Sequence, residues 1–292
     1  MKSGNLMKNI RIIPRLDIKG PNLVKGIHLE GLRVLGQPEL FAEHYYKNGA
    51  DELIYMDVVA SLYGRNSLIE IIKKTAEKIF IPLTVGGGLR TLEDIKNVLR
   101  AGADKVSLNT IAIRNPEIIK EASKRFGSST IVISIEAIKQ PDGKYMAFIE
   151  NGREHTGVEV FSWAKKVEEL GAGEILLTSV DKEGTGSGYD IELTRAVSEL
   201  VSIPVIANGG AGKAEDIGKV IKEGRADAVS LASVLHYDFV RNYLKSENFS
   251  KDKKEGNREF LKNGMVSTKI KPAGLAEIKS YLLEQRLNCR KL

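Results

Sequence analysis

Two acidic residues close short apolar runs of this sequence. Asp17 ends the run RIIPRLD, and Glu136 ends the run IVISIE. Carboxyl groups that share a site divide general-acid and general-base work when their surroundings separate their pKa values. Asp17 and Glu136 are therefore the candidate catalytic pair. Taken singly, such an acid more often caps a helix or pairs with a lysine such as Lys25, so the assignment depends on a fold that brings both together.

Two glycine-rich loops supply a second kind of chemistry. Gly86 to Gly88 follow one apolar run, and Gly209, Gly210 and Gly212 follow another. Glycines let backbone N–H groups approach an anion closely at a helix N-terminus. A single loop of this kind would be read as a tight turn. Because the motif occurs twice, we predict two phosphate sites.

The two loops belong to a segment that the chain repeats. IPLTVGGGLRTLEDIKNVLRAGADKVSLNT, residues 81–110, returns as IPVIANGGAGKAEDIGKVIKEGRADAVSLAS, residues 203–233. Each copy reads as an apolar strand, a Gly-rich turn, an amphipathic helix and a second strand, which is a βαβ unit. Each predicted phosphate site combines the ends of both strands of its copy: Gly87, Gly88, Asn109 and Thr110 in the first, and Gly209, Gly210, Ala232 and Ser233 in the second.

Strand-like and helix-like stretches alternate eight times along the chain. The predicted strands lie near residues 12–17, 53–58, 82–85, 106–109, 131–136, 175–179, 204–208 and 228–232, and helices are predicted between them, one of them capped by Thr91 with Asp94. Two similar halves predict an α/β fold, the (β/α)8 TIM barrel built from two half-barrels; a doubly wound open sheet explains the repeat less well. Strands one and five lie opposite each other in a ring of eight, so Asp17 and Glu136 should face each other.

Composition limits the class of protein. The 292 residues are 42% hydrophobic, which suits one barrel domain over residues 1–292. The net charge of +6 is spread along the chain, so nucleic-acid binding is a weak alternative. The only cysteine, Cys289, excludes an intramolecular disulfide, and no apolar run or signal segment predicts a membrane or secreted protein. We expect a cytoplasmic protein with no metal and no organic cofactor, because its four histidines lack metal-ligand spacing.

Several segments together resemble the cyclase subunit of imidazole glycerol phosphate synthase. They are RIIPRLDIKGPNLVKGIHLEGLR, DELIYMDVVAS, TVGGGLR, GADKVSLNT, GAGEILLTSVDKEGTGSGYD and IANGGAGK. The resemblance covers about residues 8–236 and the C-terminal helix. It implies a barrel that holds a long bisphosphate at both loops. Ammonia would attack phosphoribulosyl-formimino aminoimidazole carboxamide ribotide, giving imidazole glycerol phosphate and aminoimidazole carboxamide ribotide, in histidine biosynthesis.

The resemblance also assigns roles to residues. The essential acids of the family fall on Asp17 and Glu136, and its further substrate or phosphate contacts fall on Lys25, Thr178, Glu183 and Gly184. The sequence departs from the family at strand five, where IDAK is usual and this chain has IEAI, and at Glu183, where aspartate is usual. Each change moves a carboxylate by about 1 Å, a displacement that costs about 100-fold in rate when a reacting group is misplaced.

A partner follows from the same resemblance. The family receives ammonia through the barrel from a glutaminase subunit bound as a heterodimer on the N-terminal face. The gate residues of the family fall on Arg11, Glu52, Lys105 and Glu174, each at the start of a predicted inner strand. Single charges at strand entrances are often only solvated rim residues, whereas four alternating charges could form a ring that closes a pore.

A second function remains open at this stage. Cyclase-like paralogues encoded with surface-polysaccharide amidotransferases would channel glutaminase-derived ammonia to a sugar-modifying enzyme. The phosphate loops and Asp17 favour the cyclase; Glu136 and Ile138 favour the paralogue. An extra polar stretch around residues 237–272, between strand eight and the last helix, also favours the paralogue, and it is predicted to be a solvated insertion or a lid.

Overall fold

The computed structural model describes residues 9–58, 68–243 and 269–291. Eight parallel strands close into a ring, because each of them pairs in parallel with two others. In ring order they are β1 (Arg11–Lys19), β4 (Leu53–Asp57), β5 (Leu83–Gly86), β6 (Lys105–Leu108), β7 (Ile131–Lys139), β10 (Glu174–Ser179), β11 (Val205–Asn208) and β12 (Ala228–Leu231). The predicted (β/α)8 barrel is confirmed, and β1 and β7 lie opposite each other in the ring.

Helices follow the strands and cover the outside of the barrel. They are α1 (Pro38–Lys47), α2 (Ile69–Ala76), α3 (Leu92–Arg100), α4 (Thr110–Arg114), α5 (Glu117–Phe126), α6 (Val160–Glu169), α7 (Ile191–Leu200), α8 (Ala214–Lys222), α9 (Ser233–Tyr243) and α10 (Leu275–Glu284), with a 3-10 turn at Ser128–Thr130. Their buried faces pack on the outward side chains of the strands. Within the described ranges, no helix is long and apolar enough to cross a membrane.

The start of α3 has the predicted cap. The Thr91 hydroxyl accepts a hydrogen bond from the Asp94 N–H at 3.1 Å, and the Asp94 carboxylate accepts one from the Thr91 N–H at 3.0 Å. We expect Thr91→Ala to lower the free energy of unfolding by about 1 kcal/mol, because an N–H of the first turn loses its partner. Urea denaturation measures this loss. The matched control Thr91→Ser, which keeps the hydroxyl, should retain most of the stability.

The same hydrogen bonds recur in both copies of the repeat. Asp94 also accepts from the Arg90 N–H, and Asp216 accepts from the N–H groups of Gly212 and Lys213 at the equivalent positions. Asp104 accepts from the Leu83 N–H at 2.9 Å, just as Asp227 accepts from the Val205 N–H at 2.8 Å. The two half-barrels therefore share their local architecture as well as their sequence.

Two hairpins extend the barrel in ways that the strand count did not anticipate. β2 (Asn22–Ile27) and β3 (Glu30–Gly36) follow β1, and β8 (Tyr145–Ile149) and β9 (Glu154–Glu159) follow β7. In each hairpin the first strand runs antiparallel to the barrel strand from which it emerges. Since β1 and β7 lie opposite each other, the hairpins rise from opposite sides of the same end of the barrel.

An apolar layer fills the middle of the barrel. Its members are the inward side chains of Ile13, Ile54, Val132, Leu176, Ile206 and Ala228, against which Met56 packs. Inward positions alternate along each strand, so polar side chains two residues before and after this layer lie below and above it. The apolar layer therefore separates the two polar ends of the lumen.

The C-terminal helix is tied to the N-terminal side of the barrel. Lys279, with only 2% of its side chain exposed, bonds Asp51 at 2.8 Å, and Ile10 pairs with Cys289. Of the predicted polar stretch around 237–272, residues 237–243 complete α9 and residues 244–268 lie outside the described ranges. Ile270 is buried, so the chain is already packed on the barrel before α10 begins.

Candidate active site

The two predicted catalytic acids lie at the same end of the barrel on opposite strands. Asp17 is on β1 and 4% exposed, and Glu136 is on β7. The two carboxyl groups interact electrostatically, since Asp17 contributes to raising the pKa of Glu136. The structure therefore brings the predicted pair to one site.

Glu136 has surroundings that favour its protonated form. Burial raises the pKa of Glu136 to about 7, although the Gly152 N–H, the Arg15 charge and the Asn109 side chain each act to lower it. The Gly152 N–H donates to Glu136 Oε2 at 2.7 Å from the turn between β8 and β9. A carboxyl with such a pKa is half protonated near neutral pH, which suits a general acid.

Asp17 is held by an arginine that sequence reasoning did not select. Arg15 Nε donates to Asp17 Oδ1 at 2.7 Å, and both side chains are buried. The two residues are separated by one position on β1, so both point into the lumen. The signal was available in the sequence, because a charged residue at an inward position of a barrel strand requires a partner.

Lys25 and Glu183, both assigned to substrate binding by resemblance, form a buried ion pair with each other. Burial alone would raise the pKa of Glu183, but the charges of Lys25 and Arg15 outweigh it and hold that pKa below its usual value. Gly184 follows with a φ of +73°, and a side chain there would collide with the backbone of Gly26. The loop after β10 thus lies directly against β2.

The first predicted phosphate site surrounds a cavity of about 150 Å³. Gly87 and Gly88 have φ values of +95° and +72°, and a Cβ on Gly87 would lie 2.2 Å from the Asp57 carbonyl oxygen. Asn109 and Thr110, at the end of neighbouring β6, line the same cavity, as does Glu136. The predicted phosphate loop and the acid therefore open into one space.

The second predicted phosphate site lies between β11 and β12, which pair in parallel. Gly209 and Gly210 have φ values of +90° and +107°. A Cβ on Gly210 would lie 2.2 Å from the Gly188 carbonyl oxygen, so the loop after β10 crosses closely over this site. Ala232 and Ser233 follow β12, where Ser233 begins α9.

Thr178, also assigned to the substrate site by resemblance, lies at the end of β10 beside this second loop. Its side chain is fully buried, and its hydroxyl accepts a hydrogen bond from the Asn208 side chain at 3.0 Å. Asn208 is the last residue of β11, directly before Gly209. Thr178 is therefore connected to the second glycine loop through a single hydrogen bond.

Two loop tips meet over this end of the barrel. Asn151 donates its side-chain N–H to the Leu29 carbonyl oxygen at 2.9 Å, joining the two hairpins. The His28 N–H donates to the Glu183 carbonyl oxygen at 2.9 Å. His28, Leu29 and Asn151 adopt positive φ, as tight turns require. The hairpins thus cover the acids from both sides.

A charge ring closes the opposite end of the lumen. Arg11 bonds Glu52 at 2.7 Å and Glu174 at 2.5 Å, and Lys105 bonds the same two carboxylates at 3.1 and 2.9 Å. Each cation therefore bridges both anions, and the four side chains form a closed cycle. The four predicted gate residues therefore lie together in one ring.

Comparison with known proteins gives one consistent result. The family described as histidine biosynthesis protein matches residues 11–241. Imidazole glycerol phosphate synthase subunit HisF of Legionella pneumophila is 60% identical over 210 residues, covering 72% of this chain and 99% of that protein. The proteins of the same name from Clostridium botulinum and Methanopyrus kandleri are each 49% identical, covering 82% and 78% of this chain and 97% and 90% of their own lengths.

Proposed function

This chain belongs to the histidine biosynthesis protein family as a HisF-type cyclase subunit of imidazole glycerol phosphate synthase, and we propose that Asp17 and Glu136 carry its reaction. The observation that supports this assignment is the placement of both carboxyls on opposite strands at one end of the lumen. They lie under two hairpins and beside the glycine loops.

The substrate we propose is the long bisphosphate phosphoribulosyl-formimino aminoimidazole carboxamide ribotide. One phosphate would bind the backbone N–H groups near Gly87 and Gly88, and the other those near Gly209 and Gly210, each where a helix begins after a short loop. The two loops lie on opposite halves of the barrel, so a ligand that spans them passes over both acids. Asn109, Thr110, Ala232 and Ser233 complete the two sites, and Lys25, Thr178, Glu183 and Gly184 surround the middle.

The two acids have different tasks in this proposal. Ammonia addition, carbon–nitrogen cleavage and ring closure each require a proton to be delivered or removed. Glu136, protonated in part near neutral pH, delivers protons to the departing nitrogen. Asp17, whose Oδ1 accepts from Arg15, removes them from the incoming ammonia. Imidazole glycerol phosphate and aminoimidazole carboxamide ribotide are the products.

The names of the relatives describe a subunit, and we propose that the partner is a HisH-like glutaminase bound on the N-terminal face of the barrel as a heterodimer. The charge ring of Arg11, Glu52, Lys105 and Glu174 lies at that face. Ammonia released there would pass the ring and the apolar layer before reaching the acids. The ring would act as a gate because its four ion pairs close the lumen.

Lys105→Met should uncouple this delivery. Lys105 makes two of the four ring contacts, and a loss of about 1.4 kcal/mol in holding the ring closed lowers the ratio of closed to open rings tenfold. In the complex with glutaminase, we expect product formed per glutamine hydrolysed to fall roughly tenfold, while turnover with ammonium salt stays at the wild-type rate. Lys120→Met, which removes an exposed lysine of α5, is the control. Equal losses in both assays would contradict a gate.

The proposed function is tested with the purified chain, the bisphosphate substrate and excess ammonium salt at alkaline pH, which removes the need for a partner. Substrate loss together with appearance of both products supports the cyclase. Tight substrate binding without turnover would point to a disabled acid at Glu136. Absence of binding would contradict the proposed substrate and favour a paralogue that only delivers ammonia.

A further inference from the structure

Arg15 occupies the lumen between the apolar layer and the catalytic acids. Along β1 the inward positions are Arg11, Ile13, Arg15 and Asp17, so the guanidinium lies above the apolar layer, on the side away from the charge ring. Its side chain is 5% exposed. Ammonia that passes the ring and the apolar layer would therefore meet Arg15 before it meets either acid.

Three carboxylates influence this one cation. Asp17 accepts its Nε–H directly, and the charges of Glu183 and Glu136 also stabilise the guanidinium. Arg15 in turn acts to lower the pKa of both Glu183 and Glu136. The three acids come from β1, β7 and the loop after β10, so Arg15 interacts electrostatically with acids from three separate parts of the barrel.

The other groups near this cluster do not replace Arg15. Lys25, from β2, is paired with Glu183. His236, from α9, is fully buried, and burial lowers its pKa to about 3, so it is neutral over the working pH range. Around Glu136, the Gly152 N–H and the Asn109 side chain also stabilise the carboxylate. Arg15 therefore acts on both Asp17, by a direct hydrogen bond, and Glu136, through its charge.

We propose that Arg15 is a positioning residue for the cyclase reaction: it fixes Asp17 Oδ1, leaves Oδ2 directed to the substrate, and electrostatically couples Asp17 to Glu136. This inference rests on the proposed function. The physical basis is that a charge-assisted hydrogen bond holds a carboxylate in one orientation. A guanidinium also keeps its charge at every pH at which the enzyme works. A buried pair with a purely structural role would affect stability alone.

The test compares Arg15→Met and Arg15→Lys with wild type, using ammonium-driven turnover expressed per unprotonated ammonia across pH. We expect Arg15→Met to lower kcat by about 100-fold, since Asp17 loses its fixed orientation. In the pH–rate profile, the rate should fall at alkaline pH where Glu136 loses its proton. In Arg15→Met this fall should occur about one pH unit higher, since an opposite charge that favours the ionised carboxylate has been removed. Arg15→Lys keeps the positive charge, so the alkaline fall in rate should return to its wild-type pH. It should recover kcat only in part, because lysine lacks the planar guanidinium that holds Asp17 in one orientation.

A control variant and a second measurement distinguish failure of the proposed function from failure of the inference about Arg15. Lys279→Met removes a buried cation paired with Asp51 at the other end of the barrel, and it should lower stability without shifting the pH of the alkaline fall in rate. Infrared titration of the Glu136 carboxyl measures its pKa directly and does not require an active enzyme. In Arg15→Met this pKa should be higher than in wild type. If the wild-type protein is inactive, the proposed function fails. If instead the pKa of Glu136 measured by infrared titration is the same in Arg15→Met as in wild type, the inference about Arg15 is overturned. A wild-type pH profile and rate in Arg15→Met would overturn it as well.

Discussion

Asp17→Asn is expected to abolish turnover with ammonium salt, lowering kcat by about 10³-fold or more. General acid–base catalysis by one positioned group typically supplies about 10²–10⁴-fold, and an amide of the same size cannot take up the proton. The volume and the hydrogen bond from Arg15 to the side-chain oxygen can both be kept, so binding of the bisphosphate should remain close to wild type. Single-turnover kinetics and calorimetric binding measure the two effects separately.

The matched control for this change is Asp190→Asn. Asp190 caps α7, accepting from the Leu193 N–H at 3.0 Å and from the Tyr145 hydroxyl, and asparagine can accept the same cap hydrogen bond, so stability should change little. Its turnover should stay at the wild-type level. If Asp17→Asn kept more than about a tenth of the wild-type rate, a loss far smaller than removal of a general base gives, Asp17 would not be the proton acceptor.

The barrel could be predicted because its strands and helices have distinct apolar periods, and because the sequence repeats. The runs near 83–86 and 205–208 are short and apolar, and each is followed by glycines that must adopt positive φ. Cap signals such as Thr91 with Asp94 were equally direct. The placement of Asp17 opposite Glu136 then follows from counting strands in the ring. None of these inferences requires a contact between distant residues to be known.

The hairpins and the partners of the acids could not be obtained in this way. The segment that forms β8 and β9 alternates weakly between apolar and polar residues, and the contact of Gly152 with Glu136 depends on how the turn folds back across β7. The sequence also does not reveal that Lys25 selects Glu183 as its partner. Arg15 was visible as a charge, but its effect on both acids depends on distances set by the closed barrel.

Glu136→Gln should lower catalysis, and its stability relative to wild type should increase as pH rises. Without an ionisable proton donor, kcat should fall by about 10²-fold or more. Burial raises the pKa of Glu136 to about 7 from 4.5, so the folded state holds this proton more tightly than the unfolded state. The stability it contributes is complete below pH 4.5 and is lost as pH rises through 7. The free energy of unfolding of the Gln variant minus that of wild type should therefore be larger at about pH 8 than at about pH 4, by on the order of 3 kcal/mol.

Denaturant unfolding at both pH values measures this difference, and Glu150→Gln, which alters another acid that lines the same cavity, is the control. A pH-independent difference between Glu136→Gln and wild type would mean that folding does not raise the pKa of Glu136. Glu136 would then be ionised at neutral pH and could not be the acid proposed here. Catalysis would then have to obtain its proton elsewhere. Loss of rate with a gain in stability is the signature of a group retained for its chemistry rather than for the fold.

Glu136→Asp decides whether the longer side chain is a defect or an adaptation. The resemblance described above would place aspartate at this position, so a disabled acid would regain activity with the shorter chain. The structure argues against this, because Gly152 on the hairpin turn donates to Oε2 at 2.7 Å, a distance that fits the extra methylene. Retracting the carboxyl by about 1 Å would break that bond and lower the rate up to about 100-fold. A faster Asp variant would show that the hairpin does not compensate, and the case for an ammonia-delivering paralogue would be strengthened.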